Sequence, residues 1–148
     1  MQIFSMRAEN RRKEKTPEMI EFFKREYKLT DDLSHYEELE LFLESTSSMV
    51  FDRVNSVVYA TSSARTNPEL TQKWCEKNNY ELVLFETESH TGEPIYHTDV
   101  LMYVGTRVIG VCFEVIKERY RDKVTGYSKP AQHPFLYLIS YRVQHPGP

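Results

Sequence analysis

His97 and Asp99 stand two residues apart in Pro94-Ile95-Tyr96-His97-Thr98-Asp99, the stretch of this chain best equipped for proton chemistry. An imidazole changes charge near neutral pH. A carboxylate beside it can orient the ring or hold an amine. The stretch follows Gly92 and runs into Val100-Leu101-Met102-Tyr103-Val104, so it reads as the mouth of a β-strand. Residues i and i+2 of a strand share a face. The sequence therefore expects His97 and Asp99 on one side and Thr98 on the other. Glu44 ends the apolar run Leu41-Phe42-Leu43 and precedes Ser45-Thr46-Ser47-Ser48. It is either a loop acid or a buried anchor for a cationic or N–H-rich group. Arg65 lies in Ser62-Ser63-Ala64-Arg65-Thr66-Asn67. It reads as a surface ion pair, a loop brace or the holder of a carboxylate.

Other chemistries find less support. Cys75 neighbours Trp74 on an expected helix, and Cys112 lies within Val111-Cys112-Phe113. Both read as small buried hydrophobes rather than activated thiolates, which need an accessible, electropositive setting. No cysteine follows Cys112. His90, His97 and Asp99 match no zinc spacing, so neither metal nor cofactor is expected. The formal net charge of -3, with the basic run Arg11-Arg12-Lys13 interrupted by Glu14, argues against a nucleic-acid or membrane-surface partner. No apolar run approaches the ~20 residues of a membrane span. A reducing cytoplasm is the expected location.

These residues need a scaffold, and the 148 residues suffice for one domain. Gln2–Met6 reads as a strand, Arg7–Thr16 as a loop, and Thr16-Pro17-Glu18 as a capped helix start with Met19, Ile20, Phe22, Phe23 and Tyr27 as its apolar stripe. Asp31–Leu43 is ambiguous between a helical turn and a strand. Ser48–Asp52 and Ser56–Ala60 form a hairpin around Arg53-Val54-Asn55. Asn67-Pro68 opens a second helix that buries Leu70, Trp74 and Cys75, and Tyr80–Phe85 is a third strand. A second strand-strand-helix-strand cycle follows in Asp99–Gly105, Val108–Ile116, Lys117–Lys123 and Phe135–Ile139. The tail from Lys129, with Pro130, Pro134, Pro146 and Pro148, reads as loosely ordered at its end. The fold class is α/β.

Three blocks together resemble the amidinotransferase and arginine-deiminase superfamily, the pentein fold, and within it the citrulline-utilisation hydrolase type. They are Met6-Arg7-Ala8-Glu9-Asn10-Arg11-Arg12; Leu43-Glu44-Ser45-Thr46-Ser47-Ser48-Met49-Val50-Phe51-Asp52 continuing through Tyr59-Ala60 to Arg65-Thr66; and Pro94 to Val100. The likeness covers residues 3–116; 117–148 diverge from it. It implies a partial α/β propeller of strand-strand-helix-strand modules. It implies action on guanidino or ureido groups of arginine- or citrulline-like substrates. Glu44 would grip the planar N–H groups, His97 would be general acid and base, Asp99 a second grip, and Arg65 a structural or substrate-orienting residue. Ser45 and Ser47 stand where the family carries glycines. The family's nucleophilic cysteine lies near its C-terminus, in a segment with no counterpart here. The resemblance thus implies a middle fragment, catalytically incomplete as given, with exposed edges that favour self-association. The alternative is a non-catalytic ligand-binding or subunit-interaction module of the same fold.

Overall fold

The computed structural model describes residues 1–127 and the backbone of 135–138. Its opening elements are β1 (Gln2–Ile3), α1 (Glu9–Arg12), α2 (Pro17–Glu26) and β2 (Asp31–Asp32), with β1 and β2 paired in parallel. A 3₁₀ turn over Ser34–Glu37 and the single-turn α3 (Ser45–Ser48) follow. Then come β3 (Met49–Asp52), β4 (Val57–Thr61), α4 (Pro68–Lys77) and β5 (Glu81–Phe85). The order repeats in β6 (Met102–Val104), β7 (Val108–Val111), α5 (Glu118–Tyr127) and β8 (Phe135–Leu138).

Both cycles have the same pairing. β3 runs antiparallel to β4, with Met49 opposite Ala60, and β5 joins β4 in parallel through α4. β6 runs antiparallel to β7, with Met102 opposite Val111, and β8 joins β7 in parallel through α5. The strand-strand-helix-strand module expected from the sequence is present twice. β4 is buried at all five positions. Val57 and Tyr59 enter one core with Val83, Phe85, Ile109 and Val111, whereas Val58 enters a second with Leu43, Met49, Leu70 and Trp74. A strand covered on both faces loses polar alternation, which accounts for the near-continuous apolar run of Val57-Val58-Tyr59-Ala60.

Local signals explain the helix starts. The Asn67 side chain accepts from the Leu70 N–H at 2.9 Å, and Thr16 accepts from Met19 N–H at 3.2 Å. Asp52 shapes the hairpin turn by accepting from the N–H groups of Val54 and Asn55. Other expectations need correction. The first strand is shorter than Gln2–Met6, although Ser5 forms a bridge with Leu43. Arg7–Thr16 contains α1 rather than loop alone. The strand expected over Val108–Ile116 ends at Val111 and gives way to a 3₁₀ turn over Phe113–Val115.

The largest correction concerns Asp99–Gly105. The strand begins at Met102, and His97 to Asp99 lie in the approach to a turn. The N–H groups of Leu101 and Met102 return to Thr98 O, and those of Thr98 and Asp99 both reach Ser47 O. These bonds curl the segment in place of a ladder. The expected tail from Lys129 lies outside the described residues apart from the backbone of 135–138. Among the described residues, no helix is long and apolar enough to cross a membrane.

The two caps should separate experimentally. α4 buries Leu70, Thr71, Trp74 and Cys75, whereas α2 buries none of its residues. Asn67→Ala should therefore lower global stability by about 1 kcal/mol, read as a lower urea midpoint at unchanged slope. Thr16→Ala should leave that midpoint in place and speed amide exchange within α2 alone.

Candidate functional site

Leu43, fully buried, is the anchor of the site. It forms antiparallel bridges to Ser5 on one side and to Thr66 on the other. Its N–H also meets the Ser5 hydroxyl at 2.9 Å, and Asn67 N–H reaches Phe42 O at 2.7 Å. This three-segment junction places Glu44 between the chain near Arg7 and the chain near Arg65.

The Glu44 carboxylate is buried, with 3% of the residue exposed. Oε1 accepts from Arg7 N–H at 2.9 Å. Oε2 lies 2.6 Å from His97 Nε2 and 3.4 Å from Arg65 Nη1. Burial pushes the carboxyl up. The Arg7 N–H, His97 and the Arg65 guanidinium together outweigh it and hold Glu44 below its usual value of 4.5. The group is a carboxylate at neutral pH.

Short hydroxyl side chains fix the loops that meet here. Ser48 Oγ accepts from Glu44 N–H (3.0 Å) and from Thr66 Oγ1 (2.8 Å), and donates to Arg65 O (3.0 Å). Thr98 Oγ1 donates to Ser48 O at 2.6 Å and accepts from Thr61 N–H at 2.9 Å. Ser63 Oγ donates to Tyr96 O at 2.8 Å. The Tyr96 ring lies 4.7 Å beneath the Arg65 guanidinium and meets the His97 ring edge-on at 4.9 Å. Behind Arg7, the Met6 N–H donates to Glu37 Oε1, which also receives the Lys15 ammonium. One buried carboxylate, Glu44, and one partly buried, Glu37, thus hold two successive N–H groups of the same segment. A cavity of about 340 Å³ between β1 and α2 reaches Met6 and Ser45, the sequence neighbours of Arg7 and Glu44.

Of the four site residues expected from the sequence, the structure brings together Glu44, His97 and Arg65. Asp99 is exposed, and among the described residues its carboxylate forms no ion pair with them. The shared-face argument for His97 and Asp99 fails because the pair sits in a turn. The buried member of that triplet is Thr98, which the alternation argument had set aside. The sequence reading also missed Tyr96, Ser48 and the Arg7 N–H. An aromatic residue directly before the histidine was the visible signal for Tyr96. A backbone N–H leaves no signal of its own.

Neither thiol joins this cluster. Cys75 packs with Leu33, Leu43 and Trp74, and burial, then Glu76, push its thiol up to about 12. Cys112 is 5% exposed and packs in the other core. The cluster itself combines a buried anion, an imidazole hydrogen-bonded to it and a half-exposed guanidinium. Such a set can accept the N–H groups of a planar cation and relay a proton beside it.

The family profile for N,N dimethylarginine dimethylhydrolase, eukaryotic, matches residues 1–129. Among solved structures, the apo form of ArgZ, an arginine dihydrolase from the ornithine–ammonia cycle in Cyanobacteria, superposes with TM-score 0.69 at 12% identity, over 94% of this chain and 21% of that one. The N-terminal domain of ArgZ bound to substrate gives 0.67 at 12% identity, over 90% of this chain and 47% of that one. The same domain bound covalently to a reaction intermediate gives the same values. These likenesses are of fold, and this chain spans about a fifth of full ArgZ and under half of its N-terminal domain. Curated proteins supply no match.

Two outcomes follow from the geometry. Because the folded Glu44 titrates below 4.5, its stabilising contribution is complete above 4.5 and is lost as pH falls through the folded value. Glu44→Gln should cost about 2 kcal/mol at pH 7, with the gap from wild type narrowing below pH 4.5 in a denaturation series. Ser45 adopts φ 56°, a left-handed conformation that favours glycine. Ser45→Gly should raise stability by about 0.5–1 kcal/mol, seen as a higher melting temperature.

Proposed function

The chain belongs to the eukaryotic N,N-dimethylarginine dimethylhydrolase family, and from that premise we propose that it carries the guanidinium-gripping and proton-relaying part of a guanidino-hydrolase site. The ligand class is an arginine-like guanidinium or its citrulline-like ureido product. Glu44 takes the planar N–H groups through paired, charge-assisted hydrogen bonds. His97 is the general acid and base. Arg65, with 31% of its side chain exposed, meets the ligand's carboxylate. Asp99, exposed within the turn, provides a second acidic contact.

The supporting chemistry is ordinary for a C–N bond of this kind. A thiolate adds to the central guanidino carbon, forming a C–S bond. The C–N bond to the leaving amine breaks as His97 supplies its proton. Water then attacks the covalent intermediate, loses a proton to His97, and expels the thiolate to leave the ureido product. The chain's own residues cover the grip and the proton. The thiol is what these 148 residues do not bring to Glu44 and His97, since both cysteines are packed in cores. By themselves the 148 residues therefore bind ligand with turnover depressed by several orders of magnitude. This is also where the non-catalytic binding-module reading finds its support.

One observation carries the proposal: Glu44, buried and anionic, lies 2.6 Å from the His97 imidazole. Calorimetry of the 148-residue chain with Nω,Nω-dimethylarginine, arginine and citrulline tests it. Binding should weaken at least tenfold in Glu44→Gln. No citrulline should accumulate from dimethylarginine. Equal affinity in wild type and Glu44→Gln would refute the ligand assignment, and turnover that vanishes in Cys112→Ala would refute the placement of the thiol elsewhere.

A further inference from the structure

Glu44 is bound by three donors of unequal standing. Arg7 N–H at 2.9 Å and His97 Nε2 at 2.6 Å are close, and the His97 side chain is 17% exposed. Arg65 Nη1 at 3.4 Å is the most distant of the three and belongs to the more exposed of the two side-chain donors, at 31%. Around this buried carboxylate, Arg65 is the side chain more open to solvent, at 31% against 17% for His97. A partly exposed ion pair at that separation is weak.

The Arg65 head group is itself a guanidinium, and it lies 4.7 Å above the face of Tyr96. Tyr96 is 53% exposed. An aromatic face beneath a planar cation with a carboxylate at its edge is a complete guanidinium receptor. The Arg65 backbone is fixed independently of its head group: its N–H meets Ser63 Oγ at 3.1 Å and its carbonyl accepts from Ser48 Oγ at 3.0 Å. The head group can leave by side-chain rotation while the loop stays in place.

We infer that Tyr96 and Glu44 form a guanidinium slot that Arg65 fills until a ligand guanidinium replaces it. This rests on the ligand class proposed above and adds two things to it. Tyr96 becomes a binding residue for the ligand's planar head. Arg65 becomes a competitor first and a partner second: displaced from Glu44, it is free to meet a ligand carboxylate. A residue that only held that carboxylate would be indifferent to a ligand lacking one.

Methylguanidine, which carries no carboxylate, separates the two roles. It is titrated into the full chain and into Arg65→Gln, Arg65→Lys, Glu44→Gln and the double variant Arg65→Gln, Tyr96→Leu, each first checked for wild-type far-UV circular dichroism. Arg65→Gln should bind it about threefold to tenfold more tightly than wild type, and Arg65→Lys, which lacks the planar fork, about twofold to threefold. Adding Tyr96→Leu should return the affinity to wild-type level or below. Glu44→Gln should abolish binding. If Arg65→Gln alone fails to fold, the Arg65→Lys comparison decides. Unchanged or weaker binding on loss of the Arg65 head group, with Glu44→Gln still abolishing it, would overturn the slot while leaving the proposed site intact. Absence of binding in every form, Arg65→Gln included, would overturn both.

Discussion

A carboxylate withdrawn from water must be met by donors on its open sides, and meeting that requirement at Glu44 organises this molecule. Stripping a carboxylate of water without partners costs several kcal/mol. Here the cost is offset by one backbone N–H from the segment after β1, one imidazole from the loop before β6 and one guanidinium from the loop after β4. Those donors come from positions 7, 65 and 97. Arg65 and His97 are brought in by contacts that involve no charge, the Ser48 and Thr98 hydroxyls, whereas the Arg7 segment is held by the Ser5–Leu43 bridge together with the Glu37 carboxylate and the Arg12 guanidinium. For Arg65 and His97 the neutral network is what makes the charged one possible. Its members are short side chains with one or two rotatable bonds, so little rotamer entropy is lost in holding the loops at fixed distances.

The pentein-type modules explain why the site sits where it does. In the first full module β4 is central, antiparallel to β3 and parallel to β5, and its two faces feed two separate cores. A strand so constrained has no freedom of register, because a one-residue slip would exchange its faces. The loop leaving its C-terminal end is consequently fixed, and that loop carries Ser63, Arg65 and Thr66. The second module shares a hydrophobic core with the first, and Glu86 adds a polar link, its carboxylate receiving the Lys117 ammonium, the Tyr120 hydroxyl and the Arg119 guanidinium. The Lys117 hydrogen bond, followed by those of Tyr120 and Arg119, holds that carboxyl at about 2. The side chain is about a third exposed, so the carboxylate orients the start of α5 more than it stabilises the fold.

Much of this could be read from residue order. Asn67-Pro68 and Thr16-Pro17 marked helix starts because a capping side chain and a ring-fixed φ act within one turn. The hairpin and the third strand, though not its parallel pairing, could be read from apolar runs separated by turn residues. Glu44, His97 and Arg65 were legible as chemistry-bearing types standing at element ends. What failed was any inference that extended local periodicity into a segment governed by distant partners. His97 to Asp99 follow a strand-like pattern, yet Ser47 O captures two successive N–H groups there and Thr98 reaches Ser48 and Thr61 across more than thirty residues of sequence. The apolar stripe of α2 was correct as helical periodicity but not as burial: Met19 and Phe22 are about half exposed. Periodicity reports which face could be covered, and only neighbours decide whether it is.

The serines in the Glu44 segment show how the chemistry and the fold constrain each other. Ser45 holds a left-handed backbone that costs an L-residue about 1 kcal/mol, and the segment keeps it because the reversal at Ser45 lets α3 start directly after Glu44. With α3 formed, Ser48 lies one turn on, where its hydroxyl can meet the Glu44 N–H. The carbonyls of Ser47 and Ser48 then face the Thr98 segment and bind it. A glycine at 45 would relieve the strain and preserve this path. A bulky β-branched residue there would oppose the turn, moving Ser48 away from Glu44 and, through Thr98, His97 with it. The distance between the carboxylate and the imidazole is thus set by backbone conformation one residue from the first and far from the second in sequence, and the site is only as exact as that single turn.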